Sequence, residues 1–225
     1  MKALLFGSIG TVIETSEIQR QAFNLAFREH GLDWVWEREA YAALLKASGG
    51  ANRIADFATT RGESVDAAAV HQTKSRLFLE MLSHDSLDCR PGVSDVLKLA
   101  QARHLKTGIV STTEQATISA ITEKLARAGV PAFDVVTSRG LGLADKPAPD
   151  AYLHAIRTLS ISPNEALVIE NNLAGVRAAK AAGLSVLAFP GAFDDPDNYS
   201  REDVQVVEEL FDTVKAWMES EGRAA

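Results

Sequence analysis

The chain has 225 residues, 46% of them hydrophobic, and a formal net charge of −7. That is enough for one substantial core, with or without a small accessory domain. The acidic balance and the lack of any basic run argue against nucleic acid or an anionic membrane as a partner.

The single cysteine, Cys89, excludes an internal disulfide framework and fits a reducing compartment. No apolar stretch approaches the roughly 20 residues that span a bilayer. Residues 3–13 look mildly like a signal segment, but Glu14 and Glu17 follow without a small-residue cleavage site. A soluble, cytoplasmic protein is expected.

The first predicted element is the apolar run Ala3–Phe6, which breaks into the turn Gly7-Ser8-Ile9-Gly10-Thr11. From residue 16 to about 87 helical patterns dominate. A parallel crossover needs only a dozen or so residues, so this interval is read as an inserted helical domain. Within it Trp34, Trp36, Tyr41 and Phe57 have the spacing of a packed core. His71, His84 and the later His104 show no metal-ligand spacing. Pro91-Gly92 marks the return.

Thr107–Val110, Val135–Thr137, Ala166–Ile169 and Val186–Phe189 then read as further buried strands. Amphipathic helices separate the later ones, marked by Ile118, Ile121 and Leu125, by Tyr152, Ala155 and Ile156, and by Val176, Ala179 and Ala182. Strand alternating with helix predicts an α/β fold, a doubly wound parallel Rossmann-like sheet with an inserted small helical domain. Residues 1–15 and 86–225 would form the core and 16–85 the insertion. Chemistry is expected where the strands exit at their carboxyl ends. If positions 7 and 9 aim into that site, strand alternation points Ser8 away from it.

Four segments carry a family resemblance. Phe6 to Val12 fits the frame F-x-x-x-G-T-[LV], and Gly108-Ile109-Val110-Ser111-Thr112-Thr113 is a strand ending in hydroxyls. Asp145-Lys146-Pro147-Ala148-Pro149-Asp150-Ala151-Tyr152 fits K-P-x-P-x-x-[FY], and the stretch from Ala166 to Asn172 is followed by the run Gly175 to Gly183. In this order they resemble the four motifs of the haloacid dehalogenase (HAD) superfamily. Gly49-Gly50-Ala51-Asn52-Arg53-Ile54 is similar to a G-G-K-x-R-I cap loop of its CbbY-like and β-phosphoglucomutase-like sugar phosphatases.

The resemblance implies a cap for the inserted domain, Ser111, Thr112 and Lys146 for phosphate, and Arg53 for the substrate's far end. It also exposes departures. The family's nucleophilic aspartate falls at Gly7, its acid/base aspartate at Ile9 and a magnesium-binding aspartate at Asn171, while Glu170 is retained. Covalent carboxylate catalysis and an octahedral magnesium site both need those carboxylates. The chain is therefore expected to be a catalytically degenerate, phosphatase-like protein with no metal cofactor. Its expected partner is a phosphorylated small molecule or phosphate, bound as a monomer or weak dimer. The alternative is a hydrolase of small sugar phosphates working through a non-standard nucleophile, for which Ser8, Glu170, Glu14 and Asp145 are the available groups.

Overall fold

The computed structural model describes residues 1–45, 49–84 and 88–221. Strand β1 (Ala3–Phe6) is buried along its whole length, as a strand covered on both faces must be. It pairs with β2 (Lys106–Ile109) on one side and β4 (Ala166–Glu170) on the other. With β3 (Val135–Val136), β5 (Ser185–Ala188) and β6 (Gln205–Val206), the sheet runs β3-β2-β1-β4-β5-β6, every pairing parallel. This is the expected doubly wound sheet. The expected strands lie within a residue of their places, and β6, two residues long, is an addition.

Alternation along the strands sends Leu5 and Val168 to one face of the sheet. There they meet Ala151, Tyr152, Ala155 and Ile156 of α7 (Asp150–Leu159) and Ala178 and Ala179 of α8 (Leu173–Ala181). The alanines on α8 let that helix lie close against the strands. Helix α5 (Val93–Ala102) packs against β2 and α9 (Leu210–Glu221). Helix α6 (Gln115–Arg127) buries Ile118, Ile121 and Leu125 at helical spacing.

The chain divides into two compact units, Met1–Glu14 with Leu87–Ala225, and Thr15–Ser86. The boundary expected at residues 85 and 86 lies outside the described residues. In the sheet unit the two connections run side by side. Ile13 bridges to Cys89, and the Arg90 N–H donates to the Val12 carbonyl at 2.8 Å. The Arg90 guanidinium donates to the carbonyls of Gly10, Phe189 and Pro190 and stacks 3.5 Å over the Phe189 ring. It thus ties the loop after β1 to the loop after β5.

The second unit holds α1 (Ser16–Glu29), α2 (Arg38–Leu44), α3 (Gly50–Arg61) and α4 (Ala67–His84). Its centre is aromatic: Trp36 lies 4.8 Å from Phe23 and 4.7 Å from Phe27, and Trp34 meets Phe57 edge-on at 5.0 Å. Two cations are buried among these rings. Arg53 donates from Nε to the Leu44 carbonyl at 2.8 Å, with its guanidinium 6.0 Å from the Phe23 ring and 5.9 Å from that of Tyr41.

Lys74 donates to Gln19 Oε1 at 2.8 Å, its ammonium 4.7 Å from the Phe23 ring and 4.9 Å from that of Phe78. Burial, then the neighbouring Arg53 charge, draws Lys74 from its ordinary 10.5 down to about 7. Between those two values the unfolded chain binds more protons than the folded one, so Lys74's contribution to stability rises with pH. Measured against Lys74→Met by urea titration, the wild type should gain about 2 kcal/mol from pH 7 to pH 9. A difference that stays flat across that range would show that Lys74 keeps its ordinary proton affinity.

Candidate functional site

The register sets the site. Phe6 stands level with Ile109 on one side and Ile169 on the other, so Gly7, Val110 and Glu170 come next at one height. Three parallel strands therefore release their loops at the same edge, where peptide dipoles and loop amides face outward. Hydrogen bonds fix this level: Gly7 N–H donates to the Ile169 carbonyl at 2.9 Å and Val110 N–H to the Phe6 carbonyl at 2.7 Å.

The centre of the site is Glu170, fully buried at the end of β4. A Cβ on Gly7 would stand 2.6 Å from Glu170 Oε2 and 2.5 Å from Thr11 Oγ1, and a Cβ on Gly175 would collide with the same carboxyl group. The carboxylate is seated in a slot that exists because both residues lack side chains. Lys146 donates to Glu170 Oε1, as does the buried Tyr152 hydroxyl at 2.5 Å. The Asn171 N–H donates to Oε2 at 3.2 Å. Burial, reinforced by the Glu170 charge, pushes the Tyr152 hydroxyl well above its ordinary range, so it stays a donor.

Lys146 comes from the loop before α7, which places Tyr152 beside it. Besides Glu170 its ammonium reaches the Val110 carbonyl at 2.8 Å and the Tyr152 oxygen at 3.4 Å. Three protons thus meet three acceptors, and the side chain is 12% exposed against 1% for Glu170. The resemblance assigns Lys146 to a ligand's phosphate and names no protein partner for it. The structure gives it a carboxylate.

Ser111 stands at the end of β2, buried, its N–H and carbonyl both held by the Thr137 hydroxyl at 2.8 Å. Its own hydroxyl accepts from Thr113 N–H at 3.1 Å and from the Ser8 hydroxyl at 2.9 Å. Ser8 does not point away, as strand alternation predicts. The chain leaves the strand at Phe6, and the turn re-aims it. Thr112 follows Ser111, half-buried, its carbonyl accepting from Arg139 Nε at 3.2 Å. In the turn after β1, Gly10, Thr11 and Val12 spend their N–H groups internally. The amides of Ser8 and Ile9 remain, among the described residues, without a backbone acceptor.

Ile9 is half-buried and bridges to Ile13. Asn171 Oδ1 accepts from Thr11 Oγ1 at 2.9 Å and from Asn172 Nδ2 at 3.2 Å. Asn172 caps α8 by accepting from Gly175 N–H at 2.9 Å. Thr11 therefore links the space at Gly7 to Asn171. Arg53 lies in the helical unit described above. Asp145 is at the surface, bidentate with Arg139 at 3.0 and 3.1 Å. Glu14 accepts from the Ala192 N–H at 2.9 Å.

Magnesium, which the resemblance implies for active relatives, does not fit these residues. Gly7 offers no ligand atom and Ile9 a hydrocarbon. The Asn171 oxygen already accepts two hydrogen bonds, and the Glu170 charge is met by Lys146. Among the described residues no three Asp, Glu, His or Cys converge as a metal site. Thr137 and Tyr152 are the site residues that motif matching passes over. Tyr152 stands inside a quoted motif, yet nothing there marks its hydroxyl as a partner of Glu170.

A family of haloacid dehalogenase-like hydrolases matches residues 1–183. Protein CbbY of Rhodobacter capsulatus is 34% identical over 210 residues, covering 92% of each chain. CbbY from Rhodobacter sphaeroides has been solved as a variant in complex with xylulose-(1,5)bisphosphate and, separately, with phosphate. Each structure aligns with a TM-score of 0.80 at 31% identity over 92% of this chain and 93% of that one.

Proposed function

The chain belongs to the haloacid dehalogenase-like hydrolases, and we propose that it binds a phosphorylated small molecule without hydrolysing it. The observation that carries this reading is the seat of Glu170. Gly7, at the nucleophile's place in the motif, has no attacking atom. The carboxylate that fills its space is buried and held by Lys146 and Tyr152. Ile9 has no proton to give, and the Asn171 amide has no charge to offer a cation.

What remains favours an anion. Hydroxyls at Ser111 and Thr112, the Lys146 ammonium, and the amides of Ser8 and Ile9 all gather at strand ends, where such groups suit phosphate. Relatives that bind phosphate and xylulose bisphosphate support a sugar phosphate as the class of ligand. Arg53 stays a candidate contact on the strength of its loop motif. No metal cofactor is needed.

The hydrolase alternative has one observation in its favour, the Ser8 hydroxyl at the site. Its proton goes to another hydroxyl, Ser111, and a serine without an adjacent base is a weak nucleophile.

Calorimetry with inorganic phosphate and with a pentulose bisphosphate tests the proposal. Weak binding is expected, equal with and without magnesium, and lost in Ser111→Ala. Binding that requires magnesium, or that Ser111→Ala leaves intact, would place the ligand elsewhere or restore the metal.

A further inference from the structure

Position 7 and Glu170 share one space. With a side chain at position 7, the Glu170 carboxylate could not occupy its present slot, because a Cβ there would approach Oε2 to 2.6 Å. Gly175 closes the slot from the other side. The carboxylate so placed accepts a hydrogen bond from Lys146 and one from Tyr152. An incoming phosphate seeks the same lysine, and it also meets a negative charge at close range.

We propose that Glu170 is a tethered counter-anion: it holds Lys146 while the site is empty and yields it when a ligand phosphate arrives. Its charge thereby sets the site's anion affinity. This rests on the phosphate-binding reading above. Glycine at position 7 is then more than a lost nucleophile, since it admits the group that neutralises the lysine. The ligand exchange is one anion for another at a fixed cation, with no bond made or broken. A phosphate must displace an internal competitor that is always present, so affinity in the wild type is weak by construction. Tyr152 holds the competitor in place from the apolar side of the slot.

The test is phosphate titration of the wild type, Glu170→Gln, and Glu170→Gln combined with Lys146→Ala, followed by calorimetry in metal-free buffer. Removing the carboxylate charge while keeping its shape should tighten phosphate binding about tenfold or more, and the second substitution should abolish the gain. Equal affinity in wild type and Glu170→Gln would overturn the inference and leave phosphate binding standing. No binding to either protein would overturn both.

Should Glu170→Gln fail to fold, the wild type decides. In protein labelled with ¹³C at glutamate side chains, the Glu170 carboxyl signal should move with phosphate, in step with the Ser111 amide. A Ser111 amide that titrates while the Glu170 signal stays fixed would rule out the exchange.

Discussion

Purified protein should release phosphate from p-nitrophenyl phosphate or a sugar phosphate no faster than a mock-purified control, with or without magnesium. Removing a nucleophile from a catalytic constellation elsewhere costs roughly 10⁶-fold in turnover. On the proposed motif alignment the place of the acid/base falls at Ile9 and that of a metal ligand at Asn171. These losses do not multiply, because the groups act as one unit, but none of them restores what the first removes. The geometry removes the nearest substitute as well. The Glu170 carboxylate accepts from Lys146, Tyr152 and the Asn171 amide, and hydrogen bonds of this kind stabilise the charge that a nucleophile must give up. Turnover that follows the protein through successive purification steps would sink the proposal. Loss of that turnover in Ser8→Ala would then identify the alternative nucleophile.

Restoring the motif should succeed only as a set. Gly7→Asp alone should destabilise the fold by about 1–3 kcal/mol, the usual cost of overpacking, since its Cβ meets Glu170 and Thr11 at 2.6 and 2.5 Å. It adds a carboxylate beside another with no cation between them. With Ile9→Asp and Asn171→Asp the oxygen ligands are complete and the charge suits magnesium. The triple variant should melt below the wild type in chelator and recover in millimolar magnesium, by about 2.7 kcal/mol when the metal stands at a hundred times its Kd. Phosphatase activity should appear in the triple variant and in none of the single ones. The same magnesium titration should leave the wild type unmoved. A triple variant indifferent to magnesium would mean that positions 7, 9 and 171 do not form one site, and the motif alignment would be wrong.

The sheet and the ends of its strands were legible because buried parallel strands are short apolar runs cut by turn residues, as Ala3–Phe6 and Ala166–Ile169 are. Strand β6 escaped because two residues carry no periodicity. The motifs single out Ser111, Lys146 and Glu170, which the structure brings to neighbouring strand ends, but the pairing of Lys146 with Glu170 is not written in the sequence. That Glu170 reaches across to Gly7 depends on two missing Cβ atoms, at Gly7 and Gly175, which lie far apart in the sequence. Ser8 was misdirected because alternation holds only while the chain remains a strand. No motif or spacing in the sequence singles out Lys74. Only packing against Phe23 and Phe78 marks it as buried.

The central position of β1 shapes how the molecule is made. This strand lies between β2 and β4, and its first partner, Lys106 opposite Ala3, is 103 residues further along the chain. At about 5–20 residues per second of synthesis, a ribosome needs roughly 5–20 s to deliver that partner. During this interval Ala-Leu-Leu-Phe is an unpaired apolar segment, and the intervening residues 15–86 can condense as a unit of their own. Their collapse shortens the loop that β1 and β2 must close, which lowers its entropic cost. The helical insertion thus sits within the longest loop that the sheet's centre must close, and pairings of this non-local kind are intrinsically slow to form.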